Sequence, residues 1–408
     1  MNPIQMPHLT AEGTEMTKLG TGTEKETISQ QIEPEVDITE EVLDDGYLDV
    51  MEDKTVVIFA VGGTIATKKD GEGYLVPAAS GEELCKKVPG LDDLCNIEVI
   101  NFSCVQSTAV TPEMMLEISK QVQEILKRPD VSGVVITHGT DTLEETAYFL
   151  SISLSDEFQN EYFKPIVLTG SMRGADAVGA DGPANLLASV KVACHDVKED
   201  IPRVVVCMNN EIHAASRVQK VHSDNIAAFK SPSWGPVGYV DDDLVYFRAG
   251  ALDLDMGFNF PTPEKLTAKV GIVKAVTGDK GELVDYFTSQ NIDGLVIEGF
   301  GRGNLPPEMM PSVKKAIDSG IEVVITSRTP AGRILDSYGT PGSVKDSIQL
   351  GAVMGGESTS AKVRLLLLYI LSQPKAQELR REDPELFRAY LQECLDPVLS
   401  ERLFSIKA

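Results

Sequence analysis

Two threonines in this sequence each stand directly after a glycine at the end of an apolar run, where a hydroxyl group could act as a nucleophile. Thr64 follows Gly63 and the run that starts at Thr55, and Thr140 follows Gly139 in the sequence His-Gly-Thr-Asp-Thr. Glycine has no Cβ, so a substrate could approach the backbone at either position. A strand that ends in glycine can also be only a tight connection to a helix, and this alternative stays open for the first threonine.

A carboxylate, Asp141, follows the second of these threonines, and the sequence Leu-Glu-Glu-Thr-Ala after it predicts the start of a helix. Polar groups are costly at the buried end of a strand unless they have a function. Backbone N–H groups at a helix N-terminus favour a carboxylate or an oxyanion. The sequence therefore predicts an anion-binding position next to Thr140 or, as an alternative, a helix cap formed by Thr140 or Asp141.

A threonine hydroxyl is a weak nucleophile and needs a base that takes its proton. The chain has five histidines and no Ser/His/Asp signature, so a lysine or a tyrosine is the expected base. Lys220 is a candidate if it is buried beside Thr140 and Asp141, although a single lysine in a sequence is more often a surface charge.

Metal and cofactor motifs are missing from the sequence. No Cys-x-x-Cys pair and no Cys/His cluster has the spacing of zinc ligands. The glycines are not those of a phosphate-binding loop, because neither GxxxxGK[S/T] nor GxGxxG is present. We therefore predict a site without metal or organic cofactor, and six cysteines that are buried and reduced.

The elements that must position these residues are strands and helices in alternation. Apolar runs of strand length occur at residues 55–61, 133–139, 165–171 and 202–208. Between them lie stretches with apolar residues three and four positions apart, such as residues 112–126. Strands that are buried on both faces and alternate with helices form a parallel sheet, and ligands bind beyond the carboxyl ends of its strands. The two threonine segments are therefore expected to converge on one site.

The same patterns predict a two-domain α/β fold. A larger, mainly parallel N-terminal domain is expected at residues 54–250, and a smaller parallel C-terminal domain at residues 269–372. Residues 251–268 are predicted to be a linker, and residues 1–53, rich in carboxylates and without an apolar face, a disordered acidic tail. Residues 373–408 are charged and amphipathic, which predicts a helical tail on the surface.

Charge and hydropathy exclude some partners. A formal net charge of -25 argues against nucleic acid, because binding to phosphates requires a basic face. The most apolar run, residues 363–371, is much shorter than the ~20 residues of a membrane span and predicts a core helix instead. The first residues show no basic start and no apolar stretch of a secretory signal, so the expected location is the cytoplasm.

Three motifs in order resemble the bacterial-type L-asparaginase/glutaminase family, a family of threonine amidohydrolases. They are GGTIA at residues 62–66, HGTDT followed by LEETA at residues 138–147, and GSMR at residues 170–173 with ADGPANL at residues 180–186. The similarity extends from about residue 55 to about residue 373. It implies two α/β domains, a small-molecule substrate and a homotetramer built as a dimer of dimers.

The resemblance also assigns catalytic roles residue by residue. The family's primary nucleophile falls on Thr64, and its partner tyrosine, which belongs to a flexible lid, falls on Tyr74. The second threonine with its aspartate and lysine falls on Thr140, Asp141 and Lys220.

Substrate-binding residues are implied in the same way. The serine that holds the substrate carboxylate falls on Ser107, with Thr108 beside it, and Gly63 and Gly139 border the same site. The asparagine that a neighbouring subunit contributes to the site falls on Asn304.

The sequence departs from the family at the groups that hold the substrate's amino end. Thr108 and Ala109 stand where the family often has glutamine and aspartate. The glutamate that some members supply from the neighbouring subunit has no acidic match, and Tyr338 or Asp336 is a candidate substitute. The preference between asparagine and glutamine therefore stays open.

The predicted reaction is hydrolysis of the L-asparagine side-chain amide to L-aspartate and ammonia through a threonine acyl-enzyme. The oxyanion is expected to bind backbone N–H groups near Thr140 and Gly63. Three alternatives remain: an asparaginase-like subunit of a tRNA-dependent amidotransferase, a glutaminase/asparaginase of broad specificity, and a catalytically silent binding module.

Overall fold

The computed structural model describes residues 54–396 except residues 64, 66, 70, 73–74, 78–79, 155–162, 196–201 and 249–261. Several sequence predictions lie outside the described residues: Thr64, Tyr74, the acidic tail, most of the linker and the end of the C-terminal tail. In the part of the chain that is described, no helix is both long enough and apolar enough to cross a membrane.

The strands are β1 (Thr55–Gly62), β2 (Thr67–Lys69), β3 (Leu75–Pro77), β4 (Asn96–Val105), β5 (Val131–Thr137), β6 (Ile166–Thr169), β7 (Val204–Met208), β8 (Glu211–Ala214), β9 (Gln219–Lys220), β10 (Phe229–Lys230), β11 (Gly238–Asp241), β12 (Leu244–Phe247), β13 (Val270–Lys274), β14 (Gly294–Gly299), β15 (Glu322–Ser327) and β16 (Val353–Met354). The helices are α1 (Gly81–Cys85), α2 (Pro112–Leu126), α3 (Leu143–Ser153), α4 (Gly182–Cys194), α5 (Glu282–Ser289), α6 (Met310–Asp318), α7 (Val344–Leu350), α8 (Ser360–Leu371), α9 (Pro374–Glu382) and α10 (Pro384–Leu395).

The large sheet has the strand order β12-β11-β8-β7-β6-β5-β1-β4. Strands β4, β1, β5, β6 and β7 are parallel to one another. Strands β8, β11 and β12 extend the sheet through antiparallel pairs that begin between β7 and β8. The predicted mainly parallel sheet is therefore confirmed. The antiparallel extension was not predicted, because these strands are only four residues long and their sequences, EIHA, GYVD and LVYF, share no apolar pattern.

The central strands are apolar because both faces of this sheet are covered. Along β1, Val57 and Phe59 pack into a buried cluster with α2 and α3 on one face. Val56 and Ile58 pack into a second cluster with α1 and α4 on the other face. Alternate side chains of a strand point to opposite faces, so a strand buried on both sides reads as a continuous apolar run.

The small sheet has the order β13-β14-β15-β16, and all its strands are parallel. Helix α8 joins the two domains: Leu366 belongs to one buried cluster with Val296 and Val324 of the small sheet and with Phe149 of α3. The fold is thus the predicted two-domain α/β fold, and the apolar run at residues 363–371 is a core helix. The domain boundaries drawn from the sequence stay predictions.

Two expectations about the rest of the chain need correction. Helix α10 is not only a surface helix, because Phe387 and Leu391 are completely buried in the cluster around α8. The six cysteines are free, as predicted, but Cys104 is exposed and Cys85 is half-buried. Cys104 lies near the end of β4, which is the edge strand of the large sheet.

Candidate active site

Three strand ends of the large sheet meet in backbone contact. Gly63, after β1, has a φ of 91°, and a Cβ built on it would lie 2.3 Å from the Cα of Gly139. A Cβ on Gly139 would lie 2.8 Å from the Oγ of Ser107. The Cβ direction of each of these glycines is therefore filled by a neighbouring turn. Their lack of side chains brings the turns after β1, β4 and β5 together at one edge.

The structure brings together three of the predicted catalytic residues, although one of them is distant in sequence. The Nζ of Lys220 donates to the Oγ1 of Thr140 at 2.8 Å and to the Oδ1 of Asp141 at 2.6 Å. Thr140 is buried, the Lys220 side chain is 15 % exposed, and the Asp141 side chain is 61 % exposed. The ammonium group therefore connects a buried hydroxyl with a carboxylate that faces solvent.

Backbone hydrogen bonds hold Lys220 in this position. It belongs to β9, which pairs antiparallel with β10. Its backbone N–H donates to the carboxylate of Glu144, a residue in the first turn of α3. The helix that follows Thr140 and Asp141 thus also holds the strand that carries the lysine.

The Thr140 segment does not cap helix α3. The helix N-cap is Thr142, whose hydroxyl donates instead to the carbonyl oxygen of Ser107 at 2.8 Å. The Oγ of Ser107 accepts the backbone N–H of Asp141 at 3.3 Å. The cap alternative for Thr140 and Asp141 is therefore wrong. Ser107 is buried against their loop, and Thr108 after it is exposed.

A buried histidine that the sequence did not single out supports the same loop. The Nδ1 of His138 is 2.8 Å from the carbonyl oxygen of Gly139, and its Nε2 is 3.0 Å from the Oγ1 of Thr146. A carbonyl only accepts, so Nδ1 carries the hydrogen and Nε2 accepts from the threonine. Burial lowers the pKa of His138 to about 4, and the ring is neutral at pH 7. Its place in the His-Gly-Thr motif was the signal for this role.

The third motif builds the loop beside Thr140. The carboxylate of Asp181 accepts the backbone N–H groups of Met172 and Arg173, each at 2.9 Å. The Nδ2 of Asn185 donates to Asp181 and to the carbonyl oxygen of Gly170. These bonds fix the turn after β6, which packs so tightly on the Thr140 loop that a Cβ on Gly170 would lie 2.5 Å from the carbonyl oxygen of His138.

One expected oxyanion donor is already occupied. The backbone N–H of Gly63 donates to the carbonyl oxygen of Val105 at 3.1 Å, in the contact between β1 and β4. The N–H of Gly63 itself is therefore not free for a substrate oxygen, and Thr64, the next residue, lies outside the described residues. The oxyanion donors near Thr140 and Gly63 remain a prediction.

The remaining candidates are not joined to this cluster in the single chain. Asn304 closes a turn with Phe300 after β14, and its Oδ1 is buried without a hydrogen-bond partner among the described residues. Tyr338 and Asp336 are exposed in a loop of the small domain. Thr64 and Tyr74 lie outside the described residues. Over the described ranges, no group of three or more His, Cys, Asp or Glu residues could hold a metal ion.

Comparisons with known proteins agree with this arrangement. Residues 55–252 match the family model "Asparaginase, N-terminal", and residues 269–382 match "Glutaminase/Asparaginase C-terminal domain". The chain is 34% identical to an L-asparaginase of Bacillus licheniformis over 325 residues, which cover 79% of this chain and 97% of the relative.

Two further similarities bear on function. The chain is 33% identical to a glutamyl-tRNA(Gln) amidotransferase subunit of Pyrococcus furiosus over 304 residues, covering 70% of this chain and 65% of that protein. Its fold matches the crystal structure of a probable cytoplasmic L-asparaginase from Campylobacter jejuni, with a TM-score of 0.71 and 30% identity, covering 83% of this chain and 99% of that one.

Proposed function

The chain belongs to the asparaginase family of hydrolases, and on this basis we propose that it converts L-asparagine and water to L-aspartate and ammonia. The observation that carries the proposal is the contact of Lys220 with both Thr140 and Asp141, at 2.8 and 2.6 Å. A hydroxyl, an amine and a carboxylate in one hydrogen-bonded chain are the groups needed to move a proton during amide hydrolysis.

The first half of the reaction uses Thr64 as nucleophile. Its hydroxyl, with the proton taken through Tyr74, attacks the side-chain amide carbon of the substrate. The C–N bond then breaks, ammonia takes up the proton and leaves, and an ester joins the substrate acyl group to Thr64. Backbone N–H groups near Thr140 stabilise the oxyanion, a contribution commonly of about 2.7–4 kcal/mol per donor.

The second half uses the Thr140 cluster. Water attacks the ester, and Thr140 with Lys220 accepts its proton and returns one to the leaving Thr64 oxygen. The described geometry supports this role because the Lys220 Nζ lies within hydrogen-bond distance of the Thr140 hydroxyl. The exposed carboxylate of Asp141 orients the lysine and is available for the substrate ammonium.

Substrate binding and assembly follow from the same proposal. Ser107 and Thr108 hold the α-carboxylate, and Gly63 and Gly139 shape the floor of the site. Asn304 reaches the site of a neighbouring subunit, so a complete site requires a close dimer. The active form is a homotetramer of two such dimers. Asn304 is half-buried in the single chain, so part of this residue is accessible to a neighbouring subunit. We propose a cytoplasmic enzyme without metal or organic cofactor.

A second candidate is a protein that supplies ammonia to an amidotransferase, suggested by the similarity to the glutamyl-tRNA(Gln) amidotransferase of Pyrococcus furiosus. A net charge of -25 disfavours contact with tRNA. A third is a glutaminase/asparaginase of broad specificity, which the name of the C-terminal family model includes.

The test is ammonia release from L-Asn, D-Asn, L-Gln and short asparaginyl peptides, with a Lys220→Met variant as the control. We expect turnover of L-Asn by the wild-type chain and almost none by the variant. A chain that is folded but releases no ammonia from any of these amides contradicts the proposal. Release that needs a tRNA-binding partner supports the amidotransferase role, and comparable turnover of L-Gln supports the broad-specificity enzyme.

A further inference from the structure

A buried lysine of the small domain contacts the large domain next to the candidate active site. Lys362, on α8, is 1% exposed. Its Nζ donates to the carbonyl oxygens of Ala215 at 3.0 Å, Ser216 at 3.0 Å and Val218 at 2.6 Å. An ammonium group carries three hydrogens, so these three carbonyls use its full donor capacity.

The three carbonyls belong to one turn of the chain after β8. The carbonyl oxygen of Ala214 accepts the backbone N–H groups of Arg217 and Val218, both at 3.0 Å, which closes this turn. Carbonyls at the end of a helical turn have no partner within the turn, and a cation there is favourable. Lys362 therefore acts on the turn as a cation acts at a helix C-terminus.

This turn leads directly into the strand that carries the active-site lysine. Lys220 is two residues after Val218, the residue with the shortest of the three bonds. On its other side, the Lys220 backbone is held by Glu144 of α3. The segment is thus held from two directions, by a helix of each domain, and its lysine reaches Thr140 and Asp141 from there.

We propose that Lys362 is a positioning residue for catalysis: it holds the turn before β9 so that the Nζ of Lys220 stays in contact with Thr140 and Asp141. This inference rests on the proposed function, because it assigns Lys362 an effect on the same reaction. It also makes the site depend on the packing of the small domain on the large one, through a residue that does not touch the substrate.

The proposal predicts an effect on kcat and not on KM. Lys362→Met keeps the length of the side chain and removes its charge and donors, so the turn can shift and carry Lys220 with it. A displacement of about 1 Å in a catalytic group can lower a rate about 10²-fold. We expect kcat for L-Asn to fall about 10- to 100-fold and KM to change less than threefold, since Ser107 and the Asp141 backbone are held by other bonds.

Lys191→Met is the matched control. Lys191, on α4, is also buried, and its Nζ also donates to a carbonyl, that of Asp242 at 2.7 Å, and to the carboxylate of Asp243. These partners lie in the turn between β11 and β12, at the antiparallel edge of the sheet. Its loss should lower the thermal midpoint as Lys362→Met does, without the fall in kcat.

A second readout does not depend on activity. Hydrogen exchange followed by mass spectrometry measures the protection of the Lys220 backbone amide, which is bonded to Glu144. Acetylation by an amine-reactive ester measures the accessibility of the Lys220 side-chain amine. Both rates should rise at Lys220 in Lys362→Met and stay unchanged in Lys191→Met. If Lys362→Met does not fold, Lys362→Gln, which keeps an N–H donor, is measured in its place.

The outcomes separate this inference from the proposed function. Faster exchange and labelling at Lys220 in a chain that releases no ammonia would support the positioning role and refute the proposed function. Wild-type kcat together with wild-type protection of Lys220 in the Lys362 variant would overturn the inference. So would equal losses of activity in both lysine variants, in proportion to their losses of thermal stability.

Discussion

The carboxyl-terminal edges of the two sheets differ in their side-chain contacts, although the strands that end there are parallel in both sheets. At the large sheet, Thr140 and Asp141 are bonded to Lys220, which comes from about eighty residues further along the chain. At the small sheet, the turns after β14 and β15 bond within themselves and to each other. Phe300 donates to Asn304 through the backbone, and the Ser327 hydroxyl lies 2.7 Å from that of Thr329 and donates to the carbonyl oxygen of Gly301.

The difference shows what marks a candidate site in this fold. Both edges have a strand followed by glycine and polar residues, so the local pattern is the same. At both edges a cation from another part of the chain meets a carboxylate: Lys220 meets Asp141, and at the small sheet Lys274 meets Glu298 and Arg217 meets Glu357. Of these three contacts, the one made by Lys220 also includes a buried hydroxyl, that of Thr140. At the small-sheet edge, the buried Oδ1 of Asn304 has no hydrogen-bond partner among the described residues.

The largest effect is expected from removing a hydroxyl at the large-sheet edge. Thr140→Val keeps the shape of the buried side chain and removes the acceptor of the Lys220 bond. Because Thr64 and Thr140 act as one unit in the proposed reaction, Thr64→Ala and Thr140→Val should each lower kcat by about 10³-fold or more, and the double variant little further. Steady-state ammonia release measures all three.

The matched control for this comparison is Thr329→Val at the small-sheet edge. Its hydroxyl bonds only to groups of its own turn, Ser327 and Ala331. We expect kcat within about tenfold of wild type. Substantial activity in Thr64→Ala would remove that residue from the nucleophile role, and equal losses in the two valine variants would remove the distinction between the edges.

The next effect concerns the backbone contact at the large-sheet edge. Gly63→Ala places a methyl group 2.3 Å from Gly139, so the turns after β1 and β5 must separate. Gly278 has a similar φ of 81°, but a Cβ there has no atom within 4 Å. Both changes cost about 1–2 kcal/mol for the left-handed backbone.

Only Gly63→Ala should also disturb the site, and we expect it to lower kcat about 10²-fold while Gly278→Ala changes it less than twofold. Urea unfolding and ammonia release on the two variants measure both quantities. Normal kinetics in Gly63→Ala would show that the close contact of the turns does not shape the site.

Much of the fold and part of the site could be predicted from sequence, for physical reasons. Strands such as β1 and β5 are buried on both faces, so their apolar runs identify them, and α2 has an apolar face at helical spacing and a proline at its start. The short strands β8, β11 and β12 have no such common pattern, because each is only four residues long and contributes few side chains to either face of the sheet.

The site shows the same limit. Thr140 and Asp141 belong to a local motif that the sequence shows. The position of Lys220 depends on hydrogen bonds with Glu144 and Lys362, which are separated from the Lys220 segment by about 75 and 145 residues of sequence. No spacing in the sequence encodes such contacts. The resemblance to a family identified Lys220, and the three-dimensional structure was needed to find the residues that hold it.

A smaller effect is expected at the small-sheet edge, and it tests assembly. Asn304→Ala should lower kcat about 10-fold or more if the amide completes a neighbour's site. Mixing Asn304→Ala with Thr64→Ala protein should then restore part of the activity, because some mixed dimers contain one site with neither change. Activity of the wild-type chain should also fall on dilution, together with the dimer population.

A mixture without regain, with mixed dimers confirmed by mass spectrometry, would place Asn304 in the site of its own chain or outside catalysis. A fully active monomer would contradict the assembly itself. In either case the Oδ1 of Asn304 would need a partner within its own chain, and the small-sheet edge would have no role in the site of a second subunit.

The smallest effect concerns acid stability, which should also differ between the domains. Residues 269–382 contain no histidine, whereas His138 lies under the Thr140 loop. Burial lowers the pKa of His138 from 6.5 to about 4, so the unfolded chain binds the proton first as the pH falls. The stability that the neutral ring provides is complete above pH 6.5 and is lost towards pH 4.

Between pH 7 and pH 5.5 this loss amounts to about 1 kcal/mol of unfolding free energy. His138→Gln should remove that part of the pH dependence in urea unfolding, and His222→Gln, at an exposed histidine, should not. The buried His213, whose pKa burial also lowers to about 4, is present in both variants and cancels in their comparison. Identical pH dependence in the two variants would mean that the His138 ring gains water and a proton in the folded protein. Solvent would then reach the Thr140 loop on the side where the His138 ring packs. The tight packing of the large-sheet edge would not persist in solution.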